Sequence, residues 1–168
     1  FSFAFRMSLC VRSCPCVSVG MAPAGLCLYH CLAAAANYTD YMALSVPLRA
    51  ILAEQLRQKT IAVLKEHGLS SQAARLGLSG KEGYPDEPEF HYIAIASGIS
   101  FEAAGISPGY VPHYGTSPIS ARVRFQQVAD GAGHLSDHFD LEQICAPPTT
   151  GNGRWRLLKK TAPAGSVW

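Results

Sequence analysis

The chain has 168 residues, of which 48% are hydrophobic and 15% charged, with a net charge of +2. That length carries one domain with a sizeable core and excludes two comfortable ones, and the composition excludes a disordered chain. Lys and Arg are scattered apart from "RWRLLKK" near the end, which reads as a solvated basic terminus, so nucleic acid is not expected as a partner. No apolar run approaches the roughly 18 to 20 residues that span a bilayer, so a membrane is not expected either.

The opening "FSFAFRMSLCVRSCPCVSVG" is apolar, but Arg6 and Arg12 interrupt it and no small-residue cleavage site follows a continuous run. Residues 1–18 are therefore expected to form an N-terminal arm. The chain begins at Phe1 rather than Met, so a longer product is expected. Cys10, Cys14 and Cys16 stand at C-x3-C-x-C spacing, which does not match the C-x2-C pairs of zinc knuckles. With a core of this size, six cysteines read as reduced thiols of a cytoplasmic protein, with no metal and no cofactor.

From Gly25 the segment "CLYHCLAAAANY" reads as a helix, with Leu28 and Leu32, and Cys27 and Cys31, on adjacent turns. "SVPLRAILAEQLRQKTIAVLKEHG" predicts a long surface helix with Ser45 as N-cap, Pro47 in its first turn and Gly68 as stop. Its apolar stripe is Leu48, Leu52, Leu56 and Val63. "SSQAARLGLSG" supplies a short helix. "YPDEPEFHYIAIASG" predicts another, with Asp86 as cap, Glu89 at the capping-box position and Gly98 as terminator.

"ISFEAAGI" reads as a strand and "SPGYVPHYGTSP" as a loop. In "ISARVRFQQV", Ile119, Ala121, Val123 and Phe125 alternate with polar residues, the period of a half-buried strand. "DGAGHLSD" is a turn-rich connection, and "HFDLEQIC" a second strand beside the first. Helices first and strands after predict an α+β domain over residues 19–150, with 151–168 as a C-terminal tail.

Cysteine catalysis needs a thiolate, a base to make it and a group that orients the base. Cys27 sits at a predicted helix start, where unpaired N–H groups and the helix dipole favour a negative sulfur. His138 and Asp140 lie two apart, on one face of a strand, so the carboxylate can lie beside the imidazole. His30 is expected to be a partly exposed helix histidine, and Cys31 to belong to the core. His134 is the rival base, set in a poorly fixed loop. Tyr110, His113 and Tyr114 either decorate their loop or contact the substrate. Asn152 either assists the imidazole or belongs to a turn.

"GLCLYHCL" resembles the nucleophile motif of the ovarian-tumour (OTU) cysteine proteases, Asp-Gly-x-Cys followed by Leu or Phe and an aromatic residue. "HFDL" resembles that family's His-aromatic-Asp-hydrophobic ending. "PLRAILAEQLRQ" is similar to its middle helix, and "EGYPDEPEFHYIAIASGISFEA" to the block that opens with Trp-Gly-Gly and runs through an alanine-rich helix into a strand. The likeness runs from about Val19 to Ile144 with its elements in order.

The resemblance implies a papain-like cysteine protease fold of the OTU type, a small central β-sheet flanked by helices. It implies a monomeric deubiquitinase that cleaves the isopeptide bond after the C-terminal glycine of ubiquitin or a ubiquitin-like protein. Carried over, Cys27 is the nucleophile, His138 the general base and Asp140 the orienting acid. Backbone N–H groups of Gly25, Leu26 and Cys27 form the oxyanion hole. Apart from the resemblance, Tyr110, His113, Tyr114 and Phe139 stand as the candidate substrate contacts. The chain departs from the pattern at Ala24, where the family often has Asp, at Leu26, and at Gly83-Tyr84-Pro85 in place of Trp-Gly-Gly. These departures keep two alternatives open: a ubiquitin-binding module that catalyses weakly, and a protease that processes its own precursor.

Overall fold

The computed structural model describes residues 9–13, 25–36, 38–116, 118–129 and 132–144. Its centre is helix α1 (Cys27–Ala36), in which every residue is buried. A helix apolar on all sides has no solvent face to keep, so it belongs inside a domain. Here α1 lies between the β-sheet and helix α3 (Val46–Glu66). The alanines 33 to 36 let the neighbouring elements approach closely, while Leu28 and Leu32 are almost wholly removed from water. Burial of each leucine is worth about 2 kcal/mol.

The sequence "CLYHCLAAAANY" does not run as one helix: α1 ends at Ala36, and a separate α2 (Tyr38–Ala43) buries Tyr41. Ser45 holds the N-cap position of α3 with extended backbone, although its hydroxyl makes no capping bond. The buried stripe of α3 is Leu52, Leu56, Ile61 and Leu64 with Arg49, rather than one that includes Val63. Arg49 is accepted in the interior because its guanidinium donates to the carbonyls of Leu44 and Met42 and stacks over Tyr41 at 5.4 Å. Helix α4 (Ser70–Leu76) and a 3-10 turn (Gly80–Gly83) lead to α5 (Glu87–Ser97). The expected capping box is formed, with the Asp86 backbone N–H donating to Glu89 Oε2 at 2.6 Å.

Among the described residues, five strands form one mixed sheet in the order β1-β5-β4-β2-β3: β1 (Leu9–Ser13), β2 (Phe101–Ala104), β3 (His113–Tyr114), β4 (Ala121–Ala129) and β5 (Leu135–Ile144). Only β2 and β4 run parallel. The class is therefore α+β, with two local departures from the sequence reading. Residues 9–13 of the expected arm pair with the end of β5, and His113 and Tyr114 of the expected loop pair with β2.

The β4–β5 ladder runs from Ala121↔Ile144 to Ala129↔Leu135, whereas β2 covers β4 only from Ala121 to Arg124. Beyond that point β4 and β5 continue as a two-stranded ribbon. On the other side, β1 covers β5 only between Leu141 and Ile144. At Phe139 the β5 backbone instead meets α1: Cys31 Sγ donates to the Phe139 carbonyl at 3.4 Å. That docking sets the strand beside the start of the helix.

Among the described residues, no helix is long and apolar enough to cross a membrane.

Candidate active site

Gly25 enters the site with φ of +74°, a left-handed conformation that disfavours any residue with a Cβ. The chain then turns into α1. The Leu26 carbonyl accepts the His30 N–H at 2.9 Å, which makes Leu26 the capping residue and Cys27 the first residue of the helix. The structure thus brings the oxyanion-loop residues Gly25, Leu26 and Cys27 to the head of a buried helix. Ala24 lies outside the described residues, as do Asn152 and the placements of Cys14 and Cys16.

Cys27 Sγ lies 3.4 Å from His138 Nδ1, across 111 residues of chain. His138 Nε2 lies 3.1 Å from Asp140 Oδ1, because a two-residue step on β5 returns to the same face. The imidazole is thus held at both ends. A proton on Nε2 faces the carboxylate and leaves the Nδ1 lone pair facing the thiol. Asp140 is fixed in turn by Gln126, whose Nε2 donates to Asp140 Oδ2 at 2.5 Å.

Cys27 and His138 are both nearly buried, at 4% and 6% exposure. Burial pushes the Cys27 thiol up to about 11; the Phe139 backbone N–H, donating to the sulfur, pulls the other way, and the Asp140 charge adds to the rise. The expectation of a lowered thiol at the helix start is corrected here. Withdrawal from water outweighs the dipole of α1, and the thiol rests protonated.

The sulfur opens into a cleft of about 140 Å³. Phe90, Phe125 and Phe139 floor it, stacked edge to face or tilted with ring centroids 5.4 to 5.6 Å apart. Tyr84, Asp86, Glu87 and Asp137 rim it.

Of the expected substrate contacts, Phe139 lines this cleft, and Tyr110, His113 and Tyr114 do not. Tyr114 is a core residue, its ring against Phe90 and Phe101 and its hydroxyl donating to Glu87 Oε1 at 2.8 Å. Tyr110 is exposed in the loop after β2, and His113 is exposed on the edge strand β3. His134 is exposed in the turn between β4 and β5, four residues ahead of His138.

His30 is not partly exposed. It is buried at 2% exposure, hydrogen-bonded through Nδ1 to the Tyr41 hydroxyl, and pointed away from the cleft into the α1–α2 contact. Burial, reinforced by the Arg49 charge, pushes its pKa down to about 4. Cys31 is fully buried, as expected of a core thiol.

Sequence reasoning missed Gln126 and treated Tyr84 only as a departure from a motif. Gln126 had a signal: it falls on the polar face of β4, and the hairpin register sets it opposite His138. Among the described residues, no group of three or more His, Cys, Asp or Glu side chains is arranged to hold a metal ion.

Compared with known proteins, the chain matches no family model, no curated protein and no solved structure.

Proposed function

We propose that the chain is a cofactor-independent cysteine hydrolase of the OTU type. It cleaves the isopeptide bond after the C-terminal glycine of ubiquitin or a ubiquitin-like protein, acting as a monomer in a reducing compartment such as the cytoplasm. The observation that carries the reading is the continuous line Cys27 Sγ, His138 Nδ1, His138 Nε2, Asp140 Oδ1, assembled from the head of α1 and the middle of β5 and open to a cleft. The ordered set of motifs described above supports the papain-like fold.

In this mechanism Cys27 Sγ attacks the scissile carbonyl carbon while its proton passes to His138 Nδ1. The negative oxygen of the tetrahedral intermediate is met by backbone N–H groups of Leu26 and Cys27, while the Gly25 N–H is engaged by the Tyr84 hydroxyl. His138 then gives the proton to the departing lysine amine and leaves a thioester on Cys27. Water, deprotonated by the same imidazole, hydrolyses the thioester and restores the thiol. Asp140 keeps the imidazole in its working tautomer and stabilises the imidazolium that forms. Because the thiol rests protonated, general-base help at the moment of attack is obligatory.

A second reading, a ubiquitin-binding module of weak catalytic power, draws on the burial of the sulfur and its raised pKa. A ubiquitin derivative with an electrophile at its C-terminus separates the two. A covalent adduct on Cys27, lost in Cys27→Ala with the melting temperature unchanged, is the expected result. Reversible binding without an adduct selects the module, and neither binding nor adduct overturns both.

A further inference from the structure

Gly25 carries no side chain, and its sequence neighbours Ala24 and Leu26 have none that can hydrogen-bond. Whatever holds this left-handed turn in place comes from elsewhere in the chain. Tyr84 reaches it from across the cleft. A Cβ built on Gly25 would lie 2.4 Å from Tyr84 Cδ1 and 2.5 Å from Cε1, so the ring rests directly on the Gly25 backbone. The Tyr84 hydroxyl accepts a hydrogen bond from the Gly25 N–H.

Tyr84 is itself presented by a fixed frame. Arg75 at the end of α4 donates to the Tyr84 carbonyl at 2.6 Å and to the Glu82 carbonyl at 3.3 Å. The same guanidinium pairs with Glu89, whose side chain is buried and which closes the capping box of α5. Gly83 lies so close to the Leu78 carbonyl that a Cβ there would stand 2.0 Å from the oxygen. Two helices and a 3-10 turn therefore fix the backbone that carries Tyr84, and its ring ends on the loop before Cys27.

We propose that Tyr84 is the positioning residue of the oxyanion loop, clamping Gly25 so that the backbone N–H groups leading into α1 are set before substrate arrives. The inference rests on the cysteine-hydrolase reading of Cys27. A clamp of this kind lowers the barrier without touching substrate, because donors fixed in advance need no reorganisation when charge develops. Its loss falls on turnover rather than on binding.

Tyr84→Phe keeps the ring and removes the hydroxyl. Four quantities test it: kcat and KM on a fluorogenic amide of the ubiquitin C-terminus, the melting temperature, and the rate at which iodoacetamide alkylates Cys27. Alkylation displaces iodide at carbon and develops no oxyanion, so it reports the thiol alone. Outright removal of one oxyanion donor costs 10²–10³ in turnover, and loosening one is set at about ten-fold. The expected result is that fall in kcat with KM, melting temperature and alkylation unchanged. An unchanged kcat overturns the clamp, and so does a parallel fall in kcat and alkylation, which would place the effect at the sulfur. A wild-type protein whose Cys27 is alkylated but which turns over no ubiquitin amide overturns the hydrolase reading instead, before any variant is made.

Discussion

Gln126 donates from Nε2 to Asp140 Oδ2 at 2.5 Å, while the other oxygen of the same carboxylate meets His138. The register explains the contact: Gln126 stands directly opposite His138 on the β4–β5 ladder, and Asp140 is the next residue on that face. The Asp140 carboxylate is thus shared between an imidazole and a cross-strand amide, each holding one oxygen.

That division predicts how the acid can be damaged. Asp140→Asn sets an amide NH2 against a donor on one side or the other, either the Gln126 NH2 or the His138 Nε2–H. Either choice disturbs the tautomer in which Nδ1 is free to take the thiol proton. The matching change in a serine-protease triad costs about 10⁴ in turnover, and a loss on the order of 10- to 1,000-fold is expected here, because a thiol depends less on its third partner. Gln126→Leu removes one support and keeps the charge, so a loss of about 3- to 10-fold in kcat is expected, with KM unchanged. Equal kcat for Gln126→Leu and wild type would show that the amide does not position Asp140.

The resting state of Cys27 predicts a pH profile. With the thiol pushed up to about 11, chiefly by burial, the thiolate population grows as the pH rises, and it is small at neutrality. Alkylation of Cys27 by iodoacetamide, followed on its own peptide by mass spectrometry, should therefore climb through the alkaline range. A plateau already reached below pH 7 would mean a preformed thiolate–imidazolium pair and would overturn the neutral resting form.

His30 predicts acid sensitivity at a distance from the cleft. Its pKa, about 4 in the fold against 6.5 in the ordinary case, is lowered first by burial and then by Arg49. The unfolded chain therefore binds more protons between these values. The stabilisation is complete above pH 6.5 and is lost as the pH falls towards 4. At pH 4.5 the loss from this one group is about 2–3 kcal/mol. Urea unfolding at pH 7.5 and pH 4.5 measures it. His30→Gln should show a smaller drop between the two than wild type does, and an identical drop in both proteins would remove His30 as the cause.

Local patterns made much of the fold readable. The α5 capping box, the α4 helix and the alternation of β4 all follow from signals a few residues long, and each element stands where its signal lies. What escaped depends on contacts between distant segments. His30 looked like a partly exposed helix histidine, yet α1 has no surface face, and its burial is decided by the sheet on one side and α3 on the other. Leu9–Ser13 carry no strand signal of their own and become one by adding to the last strand. Tyr114 looked available because Gly and Pro surround it, but edge pairing with Phe101 turns its ring inwards. In the site, the His138–Asp140 step was visible because both lie on one strand, whereas Gln126 required the register of a hairpin and Tyr84 the meeting of three separate elements.

The distance along the chain between Cys27 and His138 has a consequence for the birth of the molecule. Cys27 lies in the first described helix and His138 in the last described strand, with α3, α5 and most of the sheet between them. During synthesis the thiol leaves the ribosome long before the imidazole exists, and contacts of such separation form late in folding. Until β5 docks its Phe139 backbone on the cysteines of α1, Cys27 has no neighbouring base and no cleft. Folding therefore does two opposite things to this sulfur: it withdraws from water a thiol that the nascent chain exposes, and it supplies the imidazole and the cleft only at the end.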